Sequence, residues 1–407
     1  MNIKRALLSS ILSASILLSG CSKSDPAAES AAAAQAEEEA KQAEFEAEEA
    51  RISAMTSLEV VKDMKNGTNL GNTMEAVITV PVDTEYNVYN FETGWGAPIT
   101  TQEMVDGLKA AGFDTLRIPV AWSNMMSDDG NYTIDPQYFT RVDEIINYAF
   151  NNDMYAIVNI HWDGDWWTGL GDADEAVRNE TMKRFKAMWT QIAEHYKDWS
   201  YKLILESANE ELGDSFKTAL GLSGAYDKVN EVNQEFVTLV RSTGGKNADR
   251  FLLLAGFNTD IDKTVNAKYL LPQDSAENKL IVSVHYYTPS TYCIANNKYN
   301  SWGYREDWGT DEDKEEMRTY FSKLQRFNDE GVGVIIGEYG VCTIKQNYVT
   351  VLKPGAADFY ASVLALSEEM GYCPVLWDIG EVYNRNTCQM NYEDVAKVFT
   401  DAKASES

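Results

Sequence analysis

The chain has 407 residues, with 63 aspartates and glutamates against 35 lysines and arginines and a formal charge of −28. That acidity excludes nucleic acid and anionic lipid surfaces as partners. Three histidines (His161, His195, His285) and cysteines at no zinc-site spacing leave little ligand stock for a transition metal, so neither a metal nor a cofactor is expected.

The start of the chain reads as a targeting segment and is set aside before the fold is considered. A basic Met1–Arg5 precedes an apolar stretch from Ala6 to Leu18, shorter than the about 20 residues a spanning helix needs. It ends in Leu18-Ser-Gly-Cys21, which resembles a bacterial lipobox, the signal for lipidation of the cysteine and cleavage just before it. The alternative is an ordinary signal peptide with a chance cysteine. The lipobox predicts a leader over 1–20 and a mature chain held by lipid at Cys21 on the outer side of a bacterial cell-envelope membrane. Residues 21–56 are mostly Ala, Glu, Ser and Gln, too poor in large apolar side chains to offset their ordering entropy. Ala31 to Arg51 is rich in helix formers but shows no apolar stripe to dock, so this segment is expected to be a solvated spacer.

From Ser57 onward a single domain is predicted, over 57–407, with no repeat and no Pro/Ser-rich linker. Apolar runs of strand length end near Asn69, Arg117, His161, Asn209, Gly256, His285, Glu338 and Trp377. Tyr155-Ala-Ile-Val-Asn-Ile160 and Phe251-Leu-Leu-Leu-Ala255 are nearly continuous in apolar character, as parallel strands covered on both faces are. Between them lie legible helices. Thr100-Thr-Gln-Glu103 has a capping-box pattern, followed by Met104, Leu108 and Ala111 on one face and a closing Gly112. Asp135-Pro136 offers an N-cap and a first-turn proline, and Phe185, Met188, Trp189, Ile192 and Tyr196 recur at helical spacing. Strand and helix alternating eight times predict an α/β fold, a (β/α)8 TIM barrel. A doubly wound open sheet would also alternate, but no phosphate-binding glycine loop follows the first strand.

Such a barrel gathers its active site from the C-terminal ends of its strands. Two of those ends carry glutamates: Leu203-Ile-Leu-Glu-Ser-Ala-Asn-Glu210 and Val332-Gly-Val-Ile-Ile-Gly-Glu338. Paired carboxylates on one face point to glycoside hydrolysis. Taken with Gly67-Thr-Asn-Leu-Gly-Asn72, Gly94-Trp95, Arg117-Ile-Pro, Asn159-Ile-His161, His285-Tyr-Tyr287, Gly337-Glu338-Tyr-Gly and Leu376-Trp377, the chain closely resembles glycoside hydrolase family 5. The resemblance implies that Glu210 is the proton donor, Glu338 the nucleophile and Trp377 a platform under the sugar. Asn209 is expected to bind the sugar 2-hydroxyl, with Asn72, His161 and His285 lining the pocket and Tyr287 donating a hydrogen bond to the nucleophile. Arg117 is expected to lower the pKa of Glu338, while an anionic Glu338 nearby keeps Glu210 protonated. His195, inside a helix, reads as structural. Relatives carry a second histidine where this chain has Trp162, and a proline where it has Glu211.

These features predict a retaining endo-β-1,4-glucanase, a cellulase-type enzyme acting on glucan polysaccharide as a monomer. β-Mannanase, xyloglucanase and mixed-linkage glucanase are alternatives within the family. A reading from another class is a lipid-anchored protein that captures oligosaccharides without cleaving them, but such a protein has no need of paired carboxylates. The loop from Thr288 to Asp311 carries Tyr292, Tyr299, Trp302, Tyr304 and Trp308, which with Trp166 and Trp167 suggest an open cleft; the alternative is that half of them pack the loop. Cys293, Cys342, Cys373 and Cys388 stand either as free buried thiols or as a structural disulfide, Cys373 with Cys388 being conceivable across the last loop.

Overall fold

A computed structural model describes residues 26–79 and 86–405. The leader and Cys21 lie outside the described residues. Among the described residues no helix is long and apolar enough to cross a membrane. The chain divides into two compact units, Met1–Ala50 and Arg51–Ser407.

In the first unit the described part is helix, within the element Pro26–Ala54. Its side chains from Ala34 to Ala47 are exposed. Over that stretch it relies on helix-forming residues and on bonds one turn apart, such as Lys41 to Glu37 at 2.6 Å and Gln35 to Glu39 at 2.8 Å.

The second unit starts six residues before the expected boundary at Ser57, because Ile52 is not spacer but core. Ile52 is fully buried with Val60, Val61 and Met64 beneath Ile157, Ile204, Leu253, Ile281, Ile335 and Val375, the inward side chains that fill the barrel. Arg51 is held by a two-pronged pair with Asp63, at 2.9 and 2.8 Å. The helix Ser57–Asp63, opened by a Thr56–Glu59 capping box, forms the rest of this floor.

Eight parallel strands close the barrel: β1 (Gly67–Asn69), β2 (Thr115–Ile118), β3 (Tyr155–Asn159), β4 (Leu203–Glu206), β5 (Leu252–Asp260), β6 (Leu280–Tyr286), β7 (Gly333–Tyr339) and β8 (Cys373–Leu376), with β8 paired back onto β1. Alternate residues face outward, among them Leu116, Val158, Leu205, Leu254, Val284 and Ile336, and join the helices in a second, larger core. The capping-box expectation shifts by one residue. Thr101, not Thr100, caps the helix Gln102–Ala111, because the Thr100 N–H is committed to buried Glu92 at 2.7 Å and its carbonyl to Arg141 at 2.7 Å. The helices Pro136–Phe150 and Glu175–Tyr196 form as expected, the first capped by Asp135.

Two strands break register toward their C-terminal ends. Between β6 and β7, Val284 pairs with Ile336 but His285 pairs with Glu338, skipping Gly337. A Cβ on Gly337 would lie 2.7 Å from Ser283 Oγ, so the glycine lets the slip pack closely against β6. Between β5 and β6, Ala255 pairs with Ser283 and Asp260 with His285, so residues 256–259 bulge out.

Candidate active site

The hub of the site is Arg117 on β2, fully buried. Its Nε donates to Glu206 Oε2 at 2.7 Å, its Nη1 to Asn69 Oδ1 at 2.8 Å and Glu338 Oε1 at 3.0 Å, and its Nη2 to Asn209 Oδ1 at 2.9 Å. The fixed fork of a guanidinium thus ties β1, β4 and β7 together at one level. Asn69, paired in register with Arg117, donates in turn to the carbonyl of Gly337 at 2.9 Å, the residue before Glu338. Asn159 on β3 donates to Glu206 Oε2 at 3.1 Å and touches His161 Nδ1 at 3.2 Å.

Above this layer stand the two glutamates. Tyr287 Oη donates to Glu338 Oε2 at 3.1 Å. Burial holds the Tyr287 hydroxyl well above its ordinary pKa, so it remains a donor. His285 Nδ1 lies 2.7 Å from Glu210 Oε1 and 3.5 Å from Glu338 Oε2. One oxygen of each carboxylate and this ring nitrogen all fall within 4.8 Å of one another. Among the described residues they are the one trio of metal-capable side chains so close, and they are engaged with each other.

Arg117 lowers the Glu338 pKa as expected but does not prevail there, and the expected rise at Glu210 is overturned. Burial lifts the Glu338 pKa above its ordinary value and outweighs His285 and Arg117; the Arg117 charge is shared with Glu206. For Glu210, burial pushes upward, but the hydrogen bond and charge of His285, with Arg117 beyond, outweigh it and leave the carboxyl below its ordinary value. The side chain of Glu210 keeps half its surface open to the cleft, whereas Glu338 is buried.

Glu210 stands between two hollows. One, of about 510 Å³, is lined by His161, Trp162, Asn209, Glu338 and Trp377; the other, of about 490 Å³, by Asn258, Asp260, Asp262, Ser290 and Tyr320. The rings of His161 and Trp377 are parallel within 6°, with centroids 5.9 Å apart. Burial first, then the neighbouring Arg117 and His285, hold His161 well below its ordinary pKa, so its imidazole is neutral. A larger hollow of about 650 Å³ lies near the start of β1 beside Lys62 and Tyr372, but its acids, Glu368 and Asp401, sit on exposed helix turns.

The structure thus gathers Glu210, Glu338, Arg117, Asn209, His161, His285, Tyr287 and Trp377 at one mouth. Asn72 is not among them. It turns with φ 60°, gives its backbone N–H to Glu75, and lines neither hollow. Asn69 is the β1 asparagine that reaches the site, and Asn159 and Glu206 were also missed. Their signal was position: each ends a barrel strand. The expected aromatic cleft is also redrawn. Tyr292, Trp308 and Trp167 are core residues, and Trp166 stacks on Trp167 at 4.2 Å. Tyr299 and Trp302 are exposed but line neither hollow, so Trp162 is the cleft tryptophan of its segment. Cys293, Cys342 and Cys388 are free thiols. Cys373 faces the barrel floor, so it has no route to Cys388 in the outer layer. His195 bonds Asp143 at 2.9 Å on the outer face, in the structural role expected.

Retaining glycosidases hold their two carboxyl groups about 5–5.5 Å apart, and inverting ones about 6.5–9.5 Å. The close pair here, at the C-terminal mouth of a (β/α)8 barrel, is the arrangement of a retaining glycoside hydrolase. The chain belongs to the cellulase family, glycosyl hydrolase family 5, whose profile matches residues 79–382, and it is an endo-β-1,4-glucanase. It is 33% identical over 350 residues to a xyloglucan-specific endo-β-1,4-glucanase of Bacteroides ovatus, covering 82% of this chain and 68% of that protein. It is 36% identical over 332 residues to endoglucanase B of Clostridium cellulovorans, covering 81% and 69%. A solved broad-specificity endoglucanase from an uncultured bovine rumen ciliate superposes with a TM-score of 0.74 at 32% identity, over 86% of this chain and 99% of that one.

Proposed function

We propose that Glu338 is the nucleophile and Glu210 the acid/base in double displacement on a β-1,4-glucan main chain. The separation of the two carboxylates, bridged by His285, supports this reading. Glu338 attacks the anomeric carbon while the glycosidic C–O bond breaks and Glu210 gives its proton to the departing oxygen. Glu210 then takes a proton from water, whose oxygen displaces Glu338. Before the first step Glu210 needs a proton and Glu338 must lose any it holds. Moving the His285 Nδ1–H bond from Glu210 to Glu338, 3.5 Å away, favours both changes. The neutral His161 and the Trp377 face then hold the glycone sugar.

Branched or mixed-linkage glucans are the second substrate reading, favoured by the xyloglucan-specific relative and by a solved lichenase at 30% identity. Initial rates on carboxymethylcellulose, lichenan and xyloglucan rank the substrates; no activity on any of them refutes the glucan reading. NMR of the first product should show the β-anomer, and an α-anomer overturns double displacement. Glu338→Ala should be inactive on all substrates. Glu210→Ala should keep activity on activated aryl cellobiosides and form a β-glycosyl azide with added azide. The opposite pattern reverses the two roles. We also place the protein at the outer side of a bacterial envelope membrane, held by lipid on Cys21, a reading supported by the lipobox.

A further inference from the structure

Among the described residues the Glu210 carboxyl has one hydrogen-bonding partner, His285, and half its side-chain surface is open. Its aim must therefore come from its backbone. Glu210 lies four residues beyond the end of β4, on a loop with no strand partner of its own. What grips that loop is Asn258. Its Nδ2 donates to the Glu210 carbonyl at 2.7 Å, its backbone N–H donates to the Leu212 carbonyl at 2.7 Å, and its Oδ1 accepts from the Asp214 N–H at 2.8 Å.

The grip is built at a cost in backbone conformation. Asn258 and Thr259 lie in the β5 bulge and both have φ 51°. Two consecutive non-glycine residues in the left-handed region, one of them β-branched, are rare and concentrate near functional sites. The loop is shaped to receive Asn258 as well, because a Cβ on Gly213 would lie 2.4 Å from Asn258 Oδ1. An ordinary strand end at β5 would need none of this.

We propose that Asn258 is a positioning residue that sets the Glu210 carboxyl for proton transfer, acting through the backbone of residues 210–214. Bulges beside active sites re-aim single side chains; here the re-aimed side chain holds another strand's catalytic loop. The inference rests on the acid/base reading of Glu210.

The test exploits leaving groups. Proton donation matters for a sugar leaving group and little for dinitrophenolate, which departs unprotonated. Asn258→Gly keeps the left-handed backbone and removes both side-chain bonds. Asn258→Asp keeps the acceptor for Asp214 but sets an oxygen against the Glu210 carbonyl. For both variants kcat/KM on cellotetraose should fall about tenfold or more. On 2,4-dinitrophenyl β-cellobioside it should stay within about threefold, since that step needs no acid. Equal losses on both substrates in the folded variants, or no loss on cellotetraose, overturn the proposal. If Asn258→Gly does not fold, Asn258→Asp decides alone by the same two rates. Glu210→Ala is the control: if it lacks this leaving-group signature, the acid/base reading fails; if it has the signature and the Asn258 variants do not, only the positioning role fails.

Discussion

Arg117 gives its shorter charged bond to Glu206, at 2.7 Å, and its longer one to Glu338, at 3.0 Å. Glu206 is as completely buried as Arg117, so the guanidinium already has a counter-charge before Glu338 is considered. Arg117 therefore acts on Glu338 more as a template than as a charge clamp, which fits the raised pKa of Glu338. Removing one partner of a buried pair costs about 3–5 kcal/mol. Glu206→Ala should lower thermal stability on that scale, and Glu206→Gln, which keeps an acceptor for Arg117 and Asn159, clearly less. Equal melting temperatures for wild type and Glu206→Ala would show that the pair contributes nothing.

Tyr287→Phe removes the hydroxyl that donates to Glu338 Oε2. A hydrogen bond to a charged group contributes about 1.5–3 kcal/mol, so kcat should fall roughly ten- to 150-fold. The lost donor also favours the protonated form of Glu338, which burial already favours. Because attack needs the anion, the acidic limb of the kcat/KM profile should move to higher pH. A limb that stays put or moves to lower pH contradicts the role given to this bond.

Stability should fall as pH rises across the neutral range. Burial is the first cause that pushes Glu75 up to about 7, Glu211 up to about 8 and Asp163 up to about 6. Their ordinary values are 4.5, 4.5 and 3.8. Between the ordinary and folded values the native chain holds more protons than the unfolded one, so stability is greatest near the lower end and is lost toward the folded pKa. Melting temperature should decline from pH 5 to 8, and Glu211→Gln should flatten the upper part of that decline. A rise over the same window would show that other groups dominate.

Ile52 should behave as a core residue. Ile52→Ala should cost about 2–5 kcal/mol while leaving kcat of the folded enzyme unchanged, since the floor lies at the end of the barrel away from the mouth. Chemical denaturation of the two proteins measures it; an unchanged midpoint would return residue 52 to the spacer.

Lipid attachment is tested by Cys21→Ser expressed in a bacterial host. Wild type should partition into the detergent phase and the variant into the aqueous phase. Identical partitioning refutes the anchor.

The barrel and its two glutamates were legible because buried parallel strands read as unbroken apolar runs and the polar residue that ends each run stands out. What was hidden lies where one residue of phase matters. β1 has three residues, too few for a pattern to separate Asn69 from Asn72. Glu206 reads as a charge in an apolar strand until Arg117 is seen beside it. Trp162, Trp166 and Trp167 share one segment, and only the fold decides that the first lines the cleft while the last is core. The pKa directions of Glu210 and Glu338 depend on which carboxylate His285 touches, and no spacing along a chain records that.

The slip at Gly337 decides which side chain β7 turns into the mouth. Side chains on a strand point in and out by parity. Ile335 points in, while Val334 and Ile336 point out among the helices. Counted on evenly, position 338 belongs outside and the tyrosine after it inside. The skipped pairing reverses that parity, bringing Glu338 into the mouth and sending Tyr339 into the outer core. The skipped residue therefore decides whether the strand presents a carboxylate or a phenol to the mouth of the barrel. A side chain at position 337 would press on Ser283 Oγ at 2.7 Å and on His285 Nε2 at 3.3 Å, so a return to even pairing would disturb the carboxylate and its histidine neighbour together.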